Sequence, residues 1–276
     1  MWRMLATISL ASLFGVSAYA QASNDTSDPK ARALMTECRV ASGGQALDKH
    51  AAFHETGTII RDGKAGTYEM YGELHALRTA GIHTLEGKLG GGGFDGTTVW
   101  HLGPDGKVTK STDAKEIANA KSDAYFTIGA YNWPERFSAK LRYVGRLSYQ
   151  SKQYDVVEVT PEGATPADLW LDKKTHRISR FTVTDGHDTA SGEIWDYRLV
   201  DGTLIGFKNV QIEGAHKMIQ TLATFDYVPL DPQRLAPPLG FCRIRARNTP
   251  RGQCAKDCPF ADSLVDSTET CAPAMP

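Results

Sequence analysis

Residues 88–100 read KLGGGGFDGTTVW. Gly91, Gly93 and Gly96 have the Gly-x-Gly-x-x-Gly spacing of a dinucleotide-binding loop. Such a loop works because a strand delivers the chain to a tight turn and a helix follows, its N-terminus meeting the pyrophosphate. Here Thr97-Thr98-Val99-Trp100 follows instead, a β-rich run that leads to the hairpin turn Gly103-Pro104-Asp105-Gly106. Gly87-Lys88 is followed by Leu89, where a phosphate loop needs Ser or Thr to hold magnesium. The stretch therefore predicts sheet and no nucleotide. Phe94-Asp95-Gly96 is the turn feeding the Trp100 strand, and the glycines at 90–92 are expected to form a flexible rim.

The same two-residue period runs outward on both sides. It marks strands at 53–61, 66–76, 77–86, 97–102 and 107–110, and again at 140–147, 153–160, 167–171, 177–184, 192–199, 204–213 and 218–227. The links are too short for parallel crossovers. About eleven antiparallel strands in one meander must curl or close. Two stretches break the pattern. Asp28-Pro29 opens a helix with Leu34, Cys38 and Ala41 on one stripe, stopped by Gly43-Gly44. Residues 113–127 begin with Asp and continue through Ala, Glu and Ile, again helical. With Tyr125, Phe126 and then Trp133, this insertion is the natural lid for the sheet.

The ends are different in kind. Residues 1–20 carry only Arg3, an apolar run over 4–16, and Ala18-Tyr19-Ala20, a small-x-small cleavage signal. That is a cleavable export signal, too short for a membrane span. The expected location is periplasmic or secreted, with no transmembrane span. The chain divides into a leader (1–20), a β domain (21–230) and a tail (231–276). The tail is rich in proline and holds Cys242, Cys254, Cys258 and Cys271. In an oxidising compartment these are expected to form disulfides, in any of three pairings. Cys254-x-x-x-Cys258 also has tolerable zinc spacing, but no second close pair accompanies it. Cys38 reads as a buried apolar residue, or as a partner for the tail. A formal net charge of −1 over 276 residues gives no electrostatic case for nucleic acid.

No local constellation carries chemistry. There is no Gly-x-Ser-x-Gly elbow. Asp188-Thr189-Ala190 lacks the glycine and the apolar approach of an aspartic-protease loop. His50 and His54 fall where a strand begins, which turns their rings apart, and His75 and His83 fall on adjacent strands, where separate surface histidines are a commoner outcome than a pair facing each other across a hairpin. No catalytic residue, metal or cofactor is expected. The candidates are apolar and aromatic positions that line a hollow: Trp100, Leu102, Tyr125, Phe126, Trp133, Trp195, Tyr197 and Leu199.

The order of motifs resembles a known family. Ala41-Ser42-Gly43-Gly44 ends the first helix. Gly93-Phe94-Asp95-Gly96-Thr97-Thr98-Val99-Trp100 precedes the helical insertion. Tyr154-Asp155-Val156-Val157-Glu158-Val159-Thr160-Pro161, Leu169-Trp170-Leu171-Asp172 and Trp195-Asp196-Tyr197-Arg198-Leu199-Val200-Asp201-Gly202 follow. Together, over roughly 28–227, these resemble the outer-membrane lipoprotein-sorting (LolA/LolB-like) superfamily, and within it periplasmic domains of that fold. The resemblance implies a mainly β fold: an unclosed antiparallel β-barrel of about eleven strands with capping helices. The Pro/Cys-rich tail is not part of the family pattern. It also implies a binding or carrier protein that holds a lipid, a lipoprotein acyl chain or another hydrophobic small molecule, without catalysis. An envelope protein-interaction or sensor module is the alternative, and a hydrolase with a dispersed site the second.

Overall fold

The computed structural model describes residues 27–185 and 188–238. Among these, thirteen strands form a single sheet. They are β1 (Ala52–Arg61), β2 (Lys64–Glu73), β3 (Arg78–Leu85), β4 (Lys88–Phe94), β5 (Val99–Leu102), β6 (Val108–Ser111), β7 (Ala139–Tyr149), β8 (Lys152–Pro161), β9 (Ala167–Asp172), β10 (Ile178–Asp185), β11 (Asp188–Val200), β12 (Thr203–Glu213) and β13 (His216–Val228). The order is β6-β5-β4-β3-β2-β1-β13-β12-β11-β10-β9-β8-β7. Every ladder is antiparallel, and β1 pairs with β13 across the middle. The sheet stays open, with β6 and β7 as its two edges. The chain joining those edges carries the helix α2 (Ala114–Thr127).

The expected count of about eleven is corrected to thirteen, and the flexible rim at 90–92 is corrected to a strand. β4 pairs with β3 over Lys88–Phe94 and with β5 over 91–94. A glycine run has no side chains to alternate, so it hides the period on which strand reading depends. The glycines are there because space is short. A Cβ on Gly91 would lie 2.4 Å from the Gly81 carbonyl oxygen, and one on Gly93 2.7 Å from the Trp100 ring. Gly93 and Trp100 are direct cross-strand partners. The same arrangement recurs. Phe53 covers Gly72, Tyr68 covers Gly57 and Phe181 covers Gly192, each across one ladder. A Cβ on those glycines would meet the ring at 2.2 to 2.8 Å. An aromatic ring laid over a glycine restores the cross-strand contact that the glycine cannot make itself.

Register divides the side chains into two faces. Phe53, Val157, Val159, Leu169, Leu171 and Ile178 form the inner face, in one buried cluster with Tyr125 and Trp133 and with Ala31, Met35 and Cys38 of α1 (Pro29–Ser42). On the outer face, Tyr71, Ala80, Ile82, Trp100 and Leu102 pack under Leu235 of the short helix α3 (Pro232–Leu235). Both long helices begin where the sequence places them. The Asp28 carboxylate accepts from Lys30 N at 2.7 Å. That of Asp113 accepts from Lys115 N and Glu116 N, both at 3.0 Å. Replacing Asp113 by alanine is expected to cost about 1 kcal/mol by removing this cap. A urea melt showing no loss would mean that α2 does not depend on it.

The disulfide expectation is corrected. Among the described residues no Sγ–Sγ pair is formed. Among the described residues Cys38 is a free, buried thiol, pushed up to about 11 by burial. Cys242, Cys254, Cys258 and Cys271 lie outside the described residues, as does the leader. No helix among the described residues is long and apolar enough to cross a membrane.

Candidate functional site

The inner face is finished differently along its length. Tyr125 and Trp133 are 2% exposed, and the Trp133 indole donates to Asp48 at 2.7 Å. Met70, Phe126, Phe181, Ile194 and Phe225 are only partly buried against the same cluster. An apolar surface that packing leaves half-covered beneath two helices is one that can receive an apolar ligand.

Two acids are held above the usual carboxylate range. Glu55 lies on the inner face, one step along the sheet from Tyr68. Burial pushes its carboxyl up to about 7, against a smaller opposing effect of the Tyr68 hydroxyl. Asp123 of α2 is pushed up to about 6, by burial first and by the charge of Glu213 second. It keeps accessible surface, so water relieves part of this, and its effect on stability is smaller than that of Glu55. For Glu55 the sign is unusual for a carboxylate. Between about pH 4.5 and 7 the unfolded chain releases the proton that the folded chain keeps, so stability falls as pH rises through this window and levels off above it. Replacing Glu55 by glutamine is expected to remove the slope and to leave the protein more stable at pH 8, by on the order of 1–3 kcal/mol. Denaturation curves at pH 5 and pH 8 check this. Equal pH dependence in the two proteins would show that Glu55 is hydrated.

Two clefts open elsewhere. The larger, about 720 Å³, lies between α1, the segment 131–134 and the ends of β7 and β8. Its seam is fixed by Asp28 N donating to Leu141 O at 2.9 Å and Leu141 N donating to Ser27 Oγ at 2.9 Å. The smaller, about 390 Å³, is on the outer face beside α3. There His54 Nε2 donates to Glu69 Oε1 at 2.9 Å, and the Tyr71 hydroxyl donates to the same oxygen at 2.7 Å. Arg234 donates to the Tyr71 hydroxyl and lies 4.7 Å over its ring, and His54 stacks on the same ring at 4.2 Å between centroids. Cross-strand register puts His54 opposite Tyr71. The lining of this cleft includes no Ser, Thr or Cys nucleophile. Its network fastens α3 to the sheet.

The residues expected to line one hollow are not gathered together. Trp100 and Leu102 are in the outer cluster. Tyr125, Phe126 and Trp133 are in or against the inner one. Trp195 and Leu199 are 43% and 70% exposed. The Tyr197 hydroxyl donates to the Ile178 carbonyl. None of the eight lines either cleft. His75 and His83 do not face each other: the partner of His83 on β2 is Tyr68, and on β4 Gly90. Among the described residues no group of three or more His, Cys, Asp or Glu could hold a metal ion. Glu55, Glu69 and Tyr71 escaped the sequence because only ladder register and the seat of the helices give them neighbours.

No protein-family model matches the chain, and no curated protein matches it. Solved structures do. One described as an outer membrane lipoprotein-sorting protein domain, from Vibrio parahaemolyticus, is 11% identical with a TM-score of 0.52, covering 75% of this chain and 96% of that one. A LolA superfamily protein from Nitrosomonas europaea is 11% identical at a TM-score of 0.51, covering 75% and 97%. A DUF1329 family protein from Desulfovibrio piger is 13% identical at 0.50, covering 75% and 97%. At these identities the likeness is one of fold. The class it defines is an open antiparallel sheet with helices seated on its inner face. Within that class the chain has a distant LolA/LolB-type fold.

Proposed function

We propose that this protein is a non-enzymatic binding or carrier protein of the periplasm, taking the apolar part of a lipid or acylated ligand against the inner face of its sheet. The observation that carries the reading is the row of half-covered apolar side chains, Met70, Phe126, Phe181, Ile194 and Phe225, beside a fully packed core. Binding would rest on desolvation, at about 25 cal/mol per Å² of apolar surface removed from water. The export signal at 1–20 supports the location, and the LolA/LolB-type fold supports a carrier role. Protein stripped of lipid in organic solvent and refolded is expected to take up a fluorescent fatty acid saturably, at one site per chain. No uptake of any acyl probe would sink the reading.

A further inference from the structure

We propose that the ligand carries an organic cation, an amine or quaternary ammonium on its apolar tail, and that Glu55 is the anion that meets it on the inner face. This rests on the carrier reading above and names the chemistry of its ligand. Glu55 stands among the side chains that carry that reading. Its direct ladder partners are Met70 on β2 and Phe225 on β13. Both are half-covered apolar side chains of the inner face. Phe225 is held by rings on two sides, stacked on Phe53 at 5.3 Å between centroids and edge-on to Tyr227 at 5.2 Å. The acid therefore sits in an apolar and aromatic wall, where a carboxylate without a partner is costly.

The fold does not supply that partner. Among the described residues Glu55 makes no ion pair and no cation acts on it. Tyr68 is 6% exposed, and its hydroxyl lies beside the carboxyl without a hydrogen bond of ordinary length to any described residue. His54, the next residue in the chain, is turned to the outer face and bound to Glu69. Arg61 acts on His83 instead: burial first, and the Arg61 charge second, hold His83 below its ordinary value. The other raised acid, Asp123, is acted on by burial and then by the charge of Glu213, and among the described residues by no cation. A plain acyl chain would leave the Glu55 carboxyl facing methylenes. An anionic headgroup would be repelled. An alcohol offers a hydrogen bond and no charge. An ammonium gives the carboxylate its missing partner where water is scarce, and the Phe225 ring adds a surface that favours cations.

The test is a titration of the full chain at pH 8 with two probes of equal chain length, decylamine and decanol. Decylamine is charged at this pH and is expected to bind about tenfold tighter. A buried pair is screened much less than an exposed one, so the gap is expected to persist in about 0.5 M salt. Glu55→Gln keeps the shape of the side chain and removes its charge, and is expected to bring the ratio of the two affinities close to one. The wild-type comparison and its salt dependence stand without the variant. Equal affinity of the wild type for both probes, a gap that collapses in salt, or a preference that Glu55→Gln retains overturns this inference while leaving the carrier reading intact. Failure to bind either probe overturns both.

Discussion

Trp100→Ala is expected to destabilise the protein by about 3–5 kcal/mol. The ring is 0% exposed and packs between Tyr71, Ala80, Ile82, Leu102 and Leu235. Removing it leaves a cavity that a sheet hydrogen-bonded on both sides of β5 cannot collapse. Two further effects are expected: α3 loses the floor beneath Leu235, and Gly93 becomes an uncovered glycine. The control is Trp195→Ala. That indole is 43% exposed, and its loss is expected to change stability by no more than about 0.5 kcal/mol. Urea denaturation of both variants, compared at equal m-value, checks the pair. Similar costs for the two tryptophans would mean that the outer cluster is not a packed core.

Gly93→Ala is the second large effect, with an expected cost of about 1–3 kcal/mol. Its Cβ would meet Thr79 O at 2.5 Å and two carbons of the Trp100 ring at 2.7 Å. The ring can turn, but the carbonyl belongs to the neighbouring strand and cannot leave without breaking the ladder. Gly90→Ala is the comparison. There the obstacle is the far end of the His83 side chain, which can rotate away. With the unfolded chain stiffened by the alanine, that variant is expected to be neutral or stabilised by about 0.4–1 kcal/mol. In a Trp100→Ala background the cost of Gly93→Ala is expected to fall, because one of its two clashes is gone. A Gly93→Ala protein as stable as wild type would remove the close-approach explanation for the glycine run.

The helices were the most legible part of the sequence. Asp28-Pro29 and Asp113 are local signals: a side-chain oxygen meets backbone N–H groups two or three residues away, and no distant residue is needed. Most strands were legible for a similar reason, since alternation such as that of Ala167, Leu169 and Leu171 records which face is buried. β4 was not, because glycine leaves no record of its face. The eight candidate binding residues were chosen for being aromatic or apolar on strands and helices. Composition cannot say which face of the sheet a ring occupies, so Trp100 was grouped with Tyr125 although the sheet lies between their clusters.

The sequence by itself determined the antiparallel meander and the two capped helices, because each depends on residues close together in the chain. The tertiary structure alone decided that β1 closes against β13, that β6 and β7 remain edges, and that α1 meets β7 across more than a hundred residues of chain. These are long-range contacts, chosen by which buried faces fit together, and no local pattern carries them. Arg39 meets the Asn132 carbonyl only once the chain has folded back on itself.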